Sequence, residues 1–154
     1  MSRAFIKESD GGDGEELAEL QVSPHRNLVT PAGLAQIEAA VERLRAELSS
    51  ARGAEDRAGI RRIQRDLRYW SERQRTAEVV KAAAGGAKVR FGSAVTLERE
   101  DGSTIEYRIV GEDEADPGAG TISWVSPLAK RLIGAEAGDE VDLADGKAAI
   151  LRIG

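Results

Sequence analysis

The chain has 154 residues, 41% of them hydrophobic and 4% aromatic, with no cysteine, one histidine and a formal net charge of −5. That length fits one domain with an appendage, and the shortage of large side chains argues against a single core spanning the whole chain. Disulfides, thiolate metal sites and cysteine nucleophiles are excluded, and a serine triad is hard to assemble around His25, which lies in a loop-like Ser23-Pro-His-Arg-Asn27 stretch.

No apolar run approaches the ~20 residues of a membrane span, and the start Met1-Ser-Arg-Ala-Phe-Ile-Lys-Glu8 lacks a signal peptide's apolar core. A cytoplasmic protein with no membrane partner is therefore expected. The charge is segregated along the chain. Residues 1–25 set Arg3 and Lys7 against six acids, residues 31–80 hold ten arginines against eight acids, and residues 88–154 hold eight basic side chains against thirteen acids. Of these three stretches, only 31–80 is basic.

The predicted elements follow in order. Residues 1–25, with the run Glu8-Ser-Asp-Gly-Gly-Asp-Gly-Glu-Glu16, bury too little to offset ordering entropy and are expected to be an acidic disordered tail. A helical hairpin is expected over 26–83. Its first helix starts with Thr30 as N-cap and Pro31 at the first helical position and runs to about Arg52. Leu34, Ile37, Val41, Leu44 and Leu48 step by three and four residues along it, as do Ile60, Ile63, Leu67 and Trp70 along the second. The interval with Gly53 and Gly59 is the turn. The second helix is expected from near Asp56 to about Lys81, ending in Ala82-Ala-Ala-Gly85-Gly86.

From Val89 the apolar period becomes two. Val95-Thr-Leu97 and Ile105-Glu-Tyr107-Arg-Ile109 flank the hairpin signal Asp101-Gly102, and Thr121-Ile-Ser-Trp-Val125 reads as a third strand. Ser126-Pro127 repeats the cap-and-proline start for a short helix stopped by Gly134, and Val141 to Ile153 close the chain as a hairpin turning at Asp145-Gly146. The fold class is α+β: an antiparallel helical hairpin, then a small antiparallel β domain over 84–154 with one short helix.

The run Val89-Arg-Phe-Gly92-Ser-Ala-Val95-Thr-Leu97, followed by Tyr107-Arg-Ile-Val-Gly111-Glu-Asp-Glu-Ala-Asp116, Ser126-Pro127-Leu-Ala129 and Leu132-Ile-Gly134, resembles the C-terminal domain of bacterial Gre transcript cleavage factors. Leu28-Val29-Thr30 fits the family's coiled-coil start, so the resemblance covers about 31–154. It implies an FKBP-like domain that docks at the rim of the RNA polymerase secondary channel, and a coiled coil that enters the channel. In the family, two tip carboxylates help hold a catalytic metal ion at the polymerase's own active centre, where the metal activates water against backtracked RNA.

At the tip the chain departs from that pattern. The family has an Asp, two residues, then Glu-Asn, Ala, an acid and Tyr; here Ser49-Ser-Ala-Arg-Gly53-Ala-Glu-Asp-Arg-Ala-Gly59 places Glu55 and Asp56 side by side. Each helix is also about ten residues shorter, which removes roughly 15 Å of reach. For Glu55 and Asp56 the structural reading is helix capping; the functional one is an acidic pair directed at a metal.

Arg57, Arg61, Arg65 and Arg68 share one face of the second helix and make a basic stripe. It suits phosphates of the channel or nascent RNA, against the plainer reading of a solvated face paired with Glu47, Asp66 and Glu72. Trp124, Ser126, Pro127 and Ala129 are the polymerase-docking candidates that the resemblance implies. Tyr69 and Trp70 are expected to pack the arm's base onto the β domain. Phe91-Gly92 reads as a strand bend, and Asp113, Glu114 and Asp116 as a soluble loop.

The expected function is a Gre-type polymerase-binding factor that modulates elongation or initiation without stimulating cleavage. It is an accessory factor rather than an enzyme, with no cofactor, resident metal or catalytic residue of its own. The alternatives are an active cleavage factor using Glu55 and Asp56, or a polymerase binder like the short-armed family member that regulates nucleoside diphosphate kinase. A prolyl isomerase needs a nest of aromatic side chains, and residues 88–154 offer Phe91, Tyr107 and Trp124 alone. Two helices that bury each other's stripe also favour a monomer over a coiled-coil adaptor.

Overall fold

A computed structural model of the protein describes residues 17–82 and 85–154; the expected disordered tail lies largely outside the described residues. Strand β1 (Leu28–Val29) leads into helix α1 (Pro31–Gly53), and helix α2 (Arg57–Thr76) returns beside it to strand β2 (Glu78–Val79). Thr30 caps α1 by accepting from the Gly33 N–H at 3.0 Å, and Pro31 stands in the first turn, where no N–H is needed. The predicted stripe faces inward. Ile37, Val41, Leu44 and Leu48 are buried on α1, and Leu44, Leu48, Ala51 and Ile63 form a cluster covered by Ile60, Leu67 and Trp70. Trp70 therefore packs inside the hairpin and not onto the β domain.

Helix α2 stops at Thr76, five residues before the expected end. The N–H groups that would continue it are taken elsewhere: Glu78 donates to the Asn27 carbonyl at 2.8 Å and Val80 to the Val29 carbonyl at 2.9 Å, in the parallel β1–β2 pair. The Asn27 side chain, itself buried, donates to the Arg73 carbonyl at 2.7 Å and so occupies an acceptor of the last turn. β-Branched Val79 and Val80 suit the extended alternative.

The second unit is a five-stranded sheet in the order β5-β4-β3-β7-β6, built from β3 (Ala94–Arg99), β4 (Thr104–Val110), β5 (Thr121–Ser123), β6 (Glu140–Leu143) and β7 (Gly146–Ile153). It is mixed, where an antiparallel sheet is expected from the sequence. β5 runs parallel to β4, with Arg108 opposite Thr121. The reason lies in residues 111–120, which carry the chain back past the strand through a 3-10 turn at Pro117–Ala119, and a parallel pair requires such a crossover. Helix α3 (Pro127–Leu132) closes the core with Ala129 and Leu132 over Val95, Leu97, Ile109 and Ile150. Each of these large aliphatic side chains contributes about 1.5–3 kcal/mol by leaving water. Among the described residues no helix is long and apolar enough to cross a membrane.

The crossover loop, read from sequence as a soluble loop, is what seats the hairpin. Arg73 of α2 is 1% exposed, and its Nε lies 2.5 Å from Asp113, with Glu112 at 3.6 Å from its Nη2. Tyr69, one turn earlier, donates its hydroxyl to the same Asp113. The next acid, Glu114, accepts from the Thr30 N–H at 2.9 Å, the Thr30 hydroxyl at 2.5 Å and the Gly111 N–H at 3.2 Å. Consecutive carboxylates thus grip the last turns of α2 and the first turn of α1. Two glycines make room: a Cβ on Gly33 would overlap the Glu114 carboxylate, and one on Gly111 would overlap the Leu28 carbonyl. Asp116 stays exposed.

Two outcomes follow. Arg73→Met leaves Asp113 and Glu112 half-buried without their partner, and urea denaturation should show a loss of about 3–5 kcal/mol; Arg73→Lys restores only part, since an ammonium lacks the two-pronged donor set. Burial first, then the bond to Asp113, pushes the Tyr69 phenol up from 10.0 to about 12. Below pH 10 folded and unfolded chains both keep the proton. Between about 10 and 12 the unfolded chain releases it first, so stability should fall across that window, and Tyr69→Phe should flatten the fall.

Candidate functional site

The hairpin tip is a three-residue connection, Ala54 to Asp56. Gly53 is the last residue of α1 and Gly59 lies in the first turn of α2, so neither glycine makes the reversal. Glu55 does, at φ 55°, a left-handed conformation that costs a residue with a Cβ about 1 kcal/mol or more. Its N–H is held by the Arg52 carbonyl at 3.2 Å. Asp56 caps α2, its carboxylate accepting from the Gly59 N–H at 3.0 Å. Both tip acids are exposed, and they differ in that the Asp56 carboxylate is engaged by backbone as the α2 cap while Glu55 makes the chain reversal. Among the described residues no three His, Cys, Asp or Glu side chains gather closely enough to hold a metal ion.

Arg57, Arg61, Arg65 and Arg68, four of the seven arginines of α2, recur at steps of four, four and three residues along the helix and have different surroundings. Arg65 pairs with Asp66 at 2.9 Å. Arg57 is exposed, and Arg61 lines a pocket with Leu17, Ala18, Glu19, Gln64 and Arg68. Arg68 holds Glu19, its Nε donating to the two carboxylate oxygens at 3.1 and 3.0 Å. Those bonds, with smaller contributions from the charges of Arg68 and Arg65, hold the Glu19 carboxyl below its ordinary range. The expected partners Glu47 and Glu72 belong elsewhere, to Arg43 and Arg75. Glu19 is the partner that sequence reasoning did not assign; opposite charges on the tail and the arm were its one signal.

On the β domain, the Ser126 hydroxyl caps α3 by accepting from the Ala129 N–H at 3.2 Å, and Pro127 is exposed at the helix start. Ala129 is fully buried in the core, so its side chain offers no surface. Trp124 is half-buried against that core, with the His25 ring edge-on to it at 6.2 Å. Beside Pro127 runs a groove of about 590 Å³ lined by Tyr107, Ile122, Leu128, Arg131 and Leu143, more apolar than polar.

Residues 84–152, which contain this groove, α3 and the crossover loop, match the family model described as transcription elongation factor, GreA/GreB, C-term. Over these residues the chain carries a domain of the GreA/GreB C-terminal type. Its Gre-type segment is 56% identical over 63 residues to transcription elongation factor GreA of Hyphomonas neptunium, covering 39% of each chain. It is 44% identical over 86 residues to transcription elongation factor GreB of Neisseria meningitidis serogroup B, covering 54% of this chain and 53% of that one. Matches to these curated Gre relatives thus span about two fifths to one half of their length. A crystal structure of GreA factor homolog 1 of Thermus thermophilus aligns over 84% of this chain and 99% of that one, at 21% identity and a TM-score of 0.40.

The two tip acids should separate in a thermal or urea melt. Asp56→Ala should cost about 1 kcal/mol through the lost cap, whereas Glu55→Gly should add up to about 1 kcal/mol by relieving the left-handed backbone.

Proposed function

We propose that this chain is an RNA polymerase-binding transcription factor of the Gre type, acting in the cytoplasm as a monomeric accessory factor. It docks through the exposed start of α3, with Ser126, Pro127 and Trp124 at the contact, on the rim of the secondary channel. It then presents the hairpin to the channel without stimulating transcript cleavage. The Gre-type C-terminal domain supports the partner. The observation that carries the absence of cleavage is the tip, where the two exposed acids are adjacent and Asp56 is engaged in capping α2 through the Gly59 N–H, which leaves Glu55 as the tip carboxylate without a capping role. Two tip carboxylates directed together at one hard divalent ion would have to turn toward it side by side, and the cap holds one of this pair to the helix start.

The length of the arm supports the same reading. Helix α1 has 23 residues, or about 35 Å at 1.5 Å per residue, roughly 15 Å less than the family's arm implies. The working surface is then the α2 arginine face, whose guanidinium groups suit phosphate oxygens along the channel or on nascent RNA.

Capture of core RNA polymerase by the tagged protein, scored together with RNA shortening in backtracked complexes, tests both parts. A complex should form, weaken about tenfold or more with Pro127→Glu, and leave the RNA at the length seen with polymerase alone. If no complex forms, the docking reading is wrong. If the wild type shortens the RNA and Glu55→Ala/Asp56→Ala does not, the chain is a cleavage factor after all.

A further inference from the structure

The described chain begins beside the arginine face. Leu17, Ala18 and Glu19 share a pocket with Arg61, Gln64 and Arg68, and the Glu19 carboxylate spans the Arg68 guanidinium with both oxygens. Gln64 and Arg68 also line a second groove of about 600 Å³ between the helices, together with Leu48, Leu67, Arg52 and the Glu72–Arg75 ion pair. Arg68 therefore stands where the N-terminal segment and the inter-helix groove meet.

That segment is held by charge rather than by burial. Leu17, Leu20 and Val22 remain 39%, 39% and 42% exposed, which makes them half of the large exposed hydrophobic side chains among the described residues. Its other end is tied down: Arg26 donates to both oxygens of Glu78 at 3.1 Å, and Asn27 is buried against α2. The sequence ahead of Leu17 adds Glu8, Asp10, Asp13, Glu15 and Glu16 against Arg3 and Lys7. An acidic sequence thus precedes an ion pair to the basic face, Glu19 with Arg68, whose side chains are 60% and 57% exposed. Such a pair is screened by salt and exchanges readily for another anion. A phosphate backbone offers Arg68 the same two-oxygen geometry, repeated along a chain.

We propose that the segment from Leu17 to Val22 is an internal ligand of the α2 arginine face, occupying through Glu19 the place a phosphate backbone would take. The protein at rest then binds single-stranded nucleic acid weakly, and displacement of the segment turns that binding on. This requires the α2 face and a polyanion and does not rest on polymerase docking, so its failure and that of the docking reading are told apart by different assays.

The test is fluorescence anisotropy of a fluorescein-labelled polyuridine RNA with full-length proteins at low salt. Glu19→Lys should tighten binding about tenfold and steepen its salt dependence by about one released counterion or more. Glu98→Lys makes the same charge change at an exposed position of β3 and should tighten binding less than about threefold, through net charge alone. Glu19→Lys/Arg68→Glu re-forms the pair with its signs exchanged and should return to the wild-type affinity. Equal gains from Glu19→Lys and Glu98→Lys, no gain from Glu19→Lys, or a gain that persists in the double variant would each overturn the proposal.

Discussion

A guanidinium almost wholly removed from water has to be met by carboxylates, and that requirement at Arg73 organises this protein. The acids that meet it come from the crossover between β4 and β5, so the demand of one α2 residue fixes a loop of the β domain. Tyr69 uses the same Asp113, one helical turn away, which leaves α2 little freedom to rotate about its axis. Glu114, the next residue, then fixes the start of α1 at Thr30. A loop that would otherwise serve only to reverse the chain has become the socket of the hairpin. The close approach of backbone at Gly111 and Gly33 is a geometric consequence of the same seating.

How much of this could be read from the residues depends on the range of the interaction. Features within a few residues were legible: the Thr30-Pro31 and Ser126-Pro127 starts, the inward stripe from Ile37 to Leu48, and the Asp101-Gly102 turn. Features that join distant segments were not. Asp113 and Glu114 lie between Gly111 and Pro117, and locally they look like any acidic loop; their task becomes visible only when Arg73 and Thr30 are brought to them from 40 and 84 residues away. The end of α2 was misjudged for the same reason, since β1 takes its next donors from across the hairpin. Of the two aromatic neighbours expected at the base of the arm, Trp70 packs in the heptad seam while Tyr69 reaches Asp113.

The candidate site divides in the same way. The tip acids stand in the connection between the helices, and their chemistry is separated by backbone: Asp56 serves the helix start, and Glu55 occupies the tight reversal that neither Gly53 nor Gly59 makes. Of the docking residues, Pro127 and Ser126 are at the surface or close to it, whereas Ala129 is part of the core. The identity of Arg68's partner needed the fold, because Glu19 is 49 residues away.

The seating of the hairpin also bears on how such chains can be recombined. Because the arm is held by Asp113 and Glu114 as well as by its covalent links, it is not an interchangeable cartridge. An arm of another length grafted at the same junctions would inherit this protein's direction only if it brought an arginine and a tyrosine four residues apart at the end of its second helix, and a hydroxyl residue with a glycine three positions on at the start of its first. Arm length and arm bearing are thus separate heritable traits: residues between the seating turns and the tip can be added or removed in whole helical turns while the angle at the base stays as it is.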